Sequence, residues 1–240
     1  MGQSVNALRE WSTALSIQPA NANLMEIMAV EYEKGAYFND AAAVAQRALD
    51  SRPDDLKAYL LAIHAYQNAM NPEAALRVAA AAVRRFPESA RANFEYAFQL
   101  QRAGKLQDSL AYLKKAMAQD PSYEEPFFFF GDLLVADGRD AEAIPYLRKA
   151  IENRNDYIDA RMTLARALMH LENWPSAKQE LQNIIRLDPR RAEPHILLSR
   201  IYFRLGDERQ AEQERRISDD LRSNNAGAGE TVQGRPFPAR

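Results

Sequence analysis

The chain has 240 residues, of which 47% are hydrophobic and 27% charged, with a formal net charge of −2. This is the balance of an ordinary soluble protein, and it supplies no overall positive field to draw in nucleic acid or an anionic membrane. Cysteine is absent, which removes disulfides, thiolate zinc sites and thiol catalysis together.

Residues 6–21 open the chain with Ala7, Trp11, Ala14 and Leu15 at helical spacing, stopped at Pro19. Pro19 is the first rung of a ladder with a constant step of 34 residues: Pro19, Pro53, Pro87, Pro121 and Pro189, with Asn155 on the one rung that lacks proline. Helix-stopping residues at a fixed interval predict a stack of helix–turn–helix units. Other columns keep the step. Ala41, Ala75, Ser109, Ala143, Ala177 and Ala211 are small, as are Ala48, Ala82, Ala116 and Ala150 before Ile184. A further column runs Ala29, Ile63, Ala97, Gly131, Ala165 and Ser199, and a bulkier one Tyr32, Tyr66, Leu100, Leu134, Leu168 and Tyr202. Small residues let paired helices approach closely while the large ones fill the gaps. Five full repeats are predicted at 22–55, 56–89, 90–123, 124–157 and 158–191, with helix ends that fray or extend where Asn155 replaces proline. A degenerate unit at 192–225 turns polar from Glu212 to Asp220, which suits a capping repeat. Residues 223–240, with Gly227, Gly229, Gly234, Pro236 and Pro238, are expected to be a disordered tail.

These columns, with Gly104-Lys105-Leu106, Ser109, Ala116 and Asp120-Pro121 repeated one unit later by Gly138, Ala143, Leu147, Ala150 and Ile151, resemble the tetratricopeptide repeat family across roughly residues 6–222. The resemblance implies an all-α, right-handed superhelical solenoid of antiparallel helix hairpins. Residues 6–21 would then be a second helix without its partner, either as in a fragment of a longer array, the reading that apolar Trp11 and Leu15 favour, or as an N-terminal cap. Its Trp11 and Leu15 are expected to face an exposed end capable of self-association.

Chemistry is sparse. His64, His170 and His195 have no Cys, Asp or Glu at metal-ligand spacing, and no phosphate-binding loop or nucleophile motif occurs. Asp137 and Asp140 flank Gly138, where capping explains them. The expectation is a protein without enzymatic activity, cofactor or metal, and without a nucleic-acid partner. No apolar run approaches the ~18 residues of a membrane span, and the first 21 residues do not form a signal peptide. Arginine far outnumbers lysine and alanine is abundant, pointing to a bacterial protein of the cytoplasm or periplasm.

The family resemblance also implies that the first helices line a concave groove. Its ladders would be Glu26, Leu60, Phe94, Phe128, Met162 and Ile196; Val30, His64, Phe98, Asp132, Arg166 and Arg200; and Ile27, Leu61, Glu95, Phe129, Thr163 and Leu197. At the edge, Asn23, Lys57 and Arg91 give way to Glu125, Asp159 and Glu193, a change of sign that would orient a ligand. Phe94, Phe98 and Phe128 are the expected centre of binding. The family's carboxylate clamp is missing, because its places hold Glu26, Val30, Leu61, Arg91 and Glu95, and the asparagine ladder of some members is absent too. The predicted function is an interaction scaffold for a protein or peptide segment with apolar anchors. The alternatives are a regulatory or substrate-recruiting arm of a larger enzyme, such as a glycosyltransferase, and a self-assembling structural module.

Overall fold

In the computed structural model of the chain, which describes Thr13, Leu15, Ile17 and residues 21–230 (side chains to residue 224), Pro53, Pro87, Pro121 and Pro189 each fall two residues beyond a helix end. Twelve helices and no strand occur among the described residues. They are α1 (Ala22–Lys34), α2 (Phe38–Ser51), α3 (Leu56–Asn68), α4 (Pro72–Arg85), α5 (Ala90–Arg102) and α6 (Leu106–Gln119), then α7 (Glu124–Ala136), α8 (Asp140–Asn153), α9 (Ile158–His170), α10 (Trp174–Leu187), α11 (Ala192–Arg204) and α12 (Glu208–Glu230). The odd-numbered helices are the first helices of the hairpins.

Helix ends follow from local chemistry. α2, α4, α6 and α10 stop because a following proline bars the α conformation in the residue before it. α8 neither frays nor extends: it ends at Asn153, in register with the rest, although Asn155 stands on the proline rung. Arg161 supplies the stop, donating from Nη2 to the Asn155 carbonyl at 2.8 Å and to Asn155 Oδ1 at 2.7 Å. The first helices α1, α3 and α5 begin at side-chain caps, Asn21, Asp55 and Ser89 accepting from the backbone N–H of Leu24, Lys57 and Ala92. Pro72 and Pro175 lie in the first turn of α4 and α10, where the lost N–H is harmless.

Each hairpin turns through one residue in the left-handed region: Ala36, Met70, Gly104, Gly138, Glu172 and Gly206, with φ between 54° and 77°. The N–H of the next residue donates back to the bulky column, as Asn71 does to Tyr66 at 2.9 Å and Arg139 to Leu134 at 2.8 Å. This is a Schellman closure. Only three of the six left-handed positions are glycine. Met70 is 86% exposed, so Met70→Gly gives up no packing while relieving a left-handed side chain. The expected gain is about 0.5–1 kcal/mol, seen as a higher midpoint in thermal unfolding, with Gly104→Ala moving it the other way.

Packing follows the columns. Ala29, Ile63, Ala97 and Ala165 on first helices and Ala41, Ala75, Ser109, Ala143 and Ala177 on second helices are all 0% exposed. Ser109 Oγ donates to the Ala97 carbonyl at 2.8 Å, and Ser199 Oγ to that of Ala211 at 2.8 Å, so the two helices touch at backbone distance. A Cβ on Gly131 would come within 2.7 Å of Leu147.

Residues 1–126 and 127–240 form two compact units. The first buries Met25, Met28, Tyr59, Ile63 and Val78 in a common core. Leu15 belongs to that core at 5% exposure, packed with Met25 and Met28 in one cluster, which corrects its expected place at an open end. Trp11 and Pro19 lie outside the described residues, and so do residues 231–240 of the expected tail. The second unit buries Leu147, Leu164, Leu181, Ile184, Leu198 and Ile201. Its polar last helix runs on to Glu230 instead of giving way at residue 223, with no proline to stop it before Pro236.

Candidate protein-binding site

In the first unit the predicted residues fall on α3 and α5. Leu60 and Phe98 are half-buried, whereas Phe94 is only 7% exposed. Phe94 stacks on Phe98 with ring centroids 6.4 Å apart and meets Tyr123 edge-on at 5.4 Å. The expectation that Phe94 is an open groove wall is therefore corrected: Tyr123, from the turn after α6, covers it. Burial raises the Tyr123 hydroxyl well above the ordinary phenol range. Arg91 and His64 are not free groove cations either. Arg91 Nε donates to Glu95 Oε1 at 3.1 Å, His64 Nε2 lies 3.3 Å from the same oxygen, and the Arg91 guanidinium sits 5.5 Å from the Tyr123 ring centroid. Glu95, expected to face a ligand, is 3% exposed and serves as their common anchor. The more open apolar residues of this unit's first helices are Ile27 and Val30 on α1, at 51% and 41%.

In the second unit Phe128 and Phe129 are half-buried and edge-on to each other at 5.2 Å, and Phe128 also leans on Tyr157 at 4.9 Å. Asp132 accepts from Thr163 Oγ1 at 3.3 Å, and Arg166 pairs with Glu193. Met162 is 4% exposed, so it too is corrected from groove wall to packing; Thr163 and Leu197, at 6% and 7%, are similarly enclosed. Ile196 stays half-buried and Arg200 exposed.

Two buried ionisable residues of this unit share one packing column. Arg161 Nη1 donates to Glu180 Oε2 at 2.7 Å, and one repeat later His195 Nδ1 lies 2.6 Å from Glu214 Oε2. Burying charge requires such a partner. His170 Nδ1 lies 3.0 Å from Asp140 Oδ1. All three histidine contacts in the chain are thus single carboxylate pairs. Among the described residues no group of three His, Cys, Asp or Glu is placed to hold a metal, and no helix is long and apolar enough to cross a membrane.

A feature absent from the predicted ladders lies at the end of the second unit. A cavity of about 1070 Å³ opens between α9, the start of α10, α11 and α12. Arg166, Arg200, Arg204 and Arg215 line it, with Met169, Trp174 and Phe203. Phe203 is 68% exposed. One signal could have found it: the column Glu33, Gln67, Gln101, Val135, Met169, Phe203 changes from polar to apolar along the chain.

Sequence profiles described as tetratricopeptide repeat match residues 59–124, 99–158 and 134–193. The chain belongs to the tetratricopeptide repeat family. No match was found among curated proteins. Of the solved structures it resembles, PilF of Pseudomonas aeruginosa is 18% identical, with 82% of this chain and 89% of that one covered and a TM-score of 0.70. PilW, described as a widely conserved type IV pilus biogenesis factor, is 26% identical, with coverage of 80% and 90% and a TM-score of 0.69. YrrB, described as a tetratricopeptide protein with an unusual peptide-binding site, is 21% identical, with coverage of 75% and 92% and a TM-score of 0.53. Within this family and beside these structures, the tetratricopeptide hairpins mark the chain as a protein-interaction scaffold.

Proposed function

We propose that this tetratricopeptide array is non-enzymatic and captures a protein segment on its first-helix faces. The carrying observation is that Leu60, Phe98, Phe128, Phe129 and Ile196 stay partly open to solvent beside cores that are already filled. Aromatic surface left open at repeated positions marks a binding face, and aromatic anchors dominate the affinity of such faces. Phe94 acts from beneath, stacked on Phe98, while Arg91, His64 and Asp132 are braced by neighbours and contribute polar edges of fixed geometry. Arg166 and Arg200 supply positive charge on α9 and α11. The ligand chemistry that suits these faces is a segment with two or three apolar anchors. The likeness to PilW rests on repeat columns shared by every such array, so it does not carry pilus biogenesis over to this chain.

The test is affinity capture from the native host followed by mass spectrometry, using wild type, Phe98→Ser, Phe128→Ser, the double variant and an outer-face control, Arg148→Ser. Each single change should weaken capture of the same partner at least about tenfold, in line with aromatic hot spots, while circular dichroism stays unchanged. Equal capture by the double variant would reject the first-helix faces as the working surface.

A further inference from the structure

We infer that the cavity between α9 and α12 is a receptor for an acidic peptide segment carrying a bulky apolar anchor. The inference rests on the scaffold reading and adds the partner's chemistry. Arg166 on α9 and Arg200 on α11 occupy the same repeat position 34 residues apart, and Arg204 lies one turn beyond Arg200. Arg166 is held by Glu193, whereas Arg200 and Arg204 make no ion pair among the described residues. Two exposed guanidiniums one turn apart, neither of them ion-paired among the described residues, are matched by carboxylates from outside, which guanidinium groups can bind in bidentate fashion. Between them and the start of α10 lies an apolar floor of Met169, Trp174 and Phe203. Phe203, at 68% exposure, has no packing role that would explain an aromatic ring there.

The size and the remaining charges choose among occupants. A volume of about 1070 Å³ is far more than a free carboxylate or phosphate ion needs. Glu208 and Glu212 stand in the wall, and hydrogen bonds from Arg215 and Arg216 hold the Glu212 carboxyl down at about 2, so it remains charged. Glu208, which makes no ion pair among the described residues, repels a continuous phosphate backbone but tolerates a peptide that places its acids only opposite Arg200 and Arg204. The chain's own residues 231–240 carry Phe237 but also Arg235 and Arg240, with no acidic side chain, and so are mismatched to this rim.

The experiment pans a phage library of random dodecapeptides on the full chain and, in parallel, on Arg200→Glu/Arg204→Glu and on Phe203→Ser. Selected peptides are then measured by fluorescence anisotropy beside labelled oligothymidylate and a labelled peptide of residues 231–240. Enrichment of Asp or Glu next to Phe, Trp or Leu is expected, with affinity falling at least about tenfold on the double arginine variant and on Phe203→Ser, and weakening with salt. Circular dichroism and unfolding midpoints of both variants should match wild type, since the changed side chains are exposed. Selection without acidic residues, equal binding to the arginine variant, or tighter binding of the oligonucleotide or the 231–240 peptide would overturn the inference. Peptides lost on Phe98→Ser but retained by Arg200→Glu/Arg204→Glu would overturn it while leaving the scaffold reading intact.

Discussion

Arg161→Leu should lower the stability of the second unit by about 3–5 kcal/mol, the usual cost of removing one partner from a buried ion pair. The Arg161 side chain is 9% exposed and that of Glu180 19%, and Arg161 also holds both oxygens of Asn155. Its loss strands a carboxylate and frees the one inter-repeat turn that lacks proline. The equivalent positions one repeat earlier hold Phe127 and Tyr146. Arg161→Phe combined with Glu180→Tyr should therefore recover most of the loss, because well-packed apolar replacements of buried pairs are often neutral. Urea unfolding of the two single variants and the double variant gives the coupling directly. Additive losses, with no recovery in the double variant, would mean that the pair does not act as a unit.

Ala116→Leu should cost about 1–3 kcal/mol by overpacking the hairpin of α5 and α6. Ala48, Ala82, Ala116 and Ala150 are all 0% exposed at one repeat position, so each has its Cβ against a neighbour with no free volume. Ala118→Leu, two residues away and exposed, is the control and should leave the thermal midpoint nearly unchanged. A midpoint unaltered by Ala116→Leu would place the 34-residue register wrongly.

The hairpin register was legible because it is written in strong local signals. Proline on the 34-residue rung stops the helix before it, although Pro145 is carried inside α8, and small columns mean close approach of helices. The left-handed turn residues Ala36, Met70 and Glu172 were not legible: the closing hydrogen bond to Tyr32, Tyr66 or Leu168 imposes the conformation whatever the residue. Asn155 misled for a related reason, since the helix stop there comes from Arg161, six residues on and recognisable only once folded.

The candidate site was read less well. Periodicity places a residue on a helix face but does not say what leans over it. Phe94 belongs to the predicted face, yet Tyr123 closes it, and the same holds for Met162 within α9. Charges were read as free when they are not. Glu95 gathers both Arg91 and His64, an arrangement that needs α3 beside α5 before it can be seen. Arg200 is an exposed cation on α11, and its neighbours Arg204 and Phe203 stand outside the predicted ladders. The polar-to-apolar drift of the column that ends at Phe203 is the sequence signal for that cavity.

Site-specific photocrosslinking in the native host tests the central claim most directly. A benzophenone amino acid placed in turn at Leu60, Phe98, Phe128 and Ile196 on first helices, and at Ala43, Glu73 and Arg148 on exposed positions of second helices, reports which surface a partner touches. A scaffold that works through its first helices gives a common protein adduct from the first group and none from the second. Adducts confined to Ala43, Glu73 and Arg148 would contradict it.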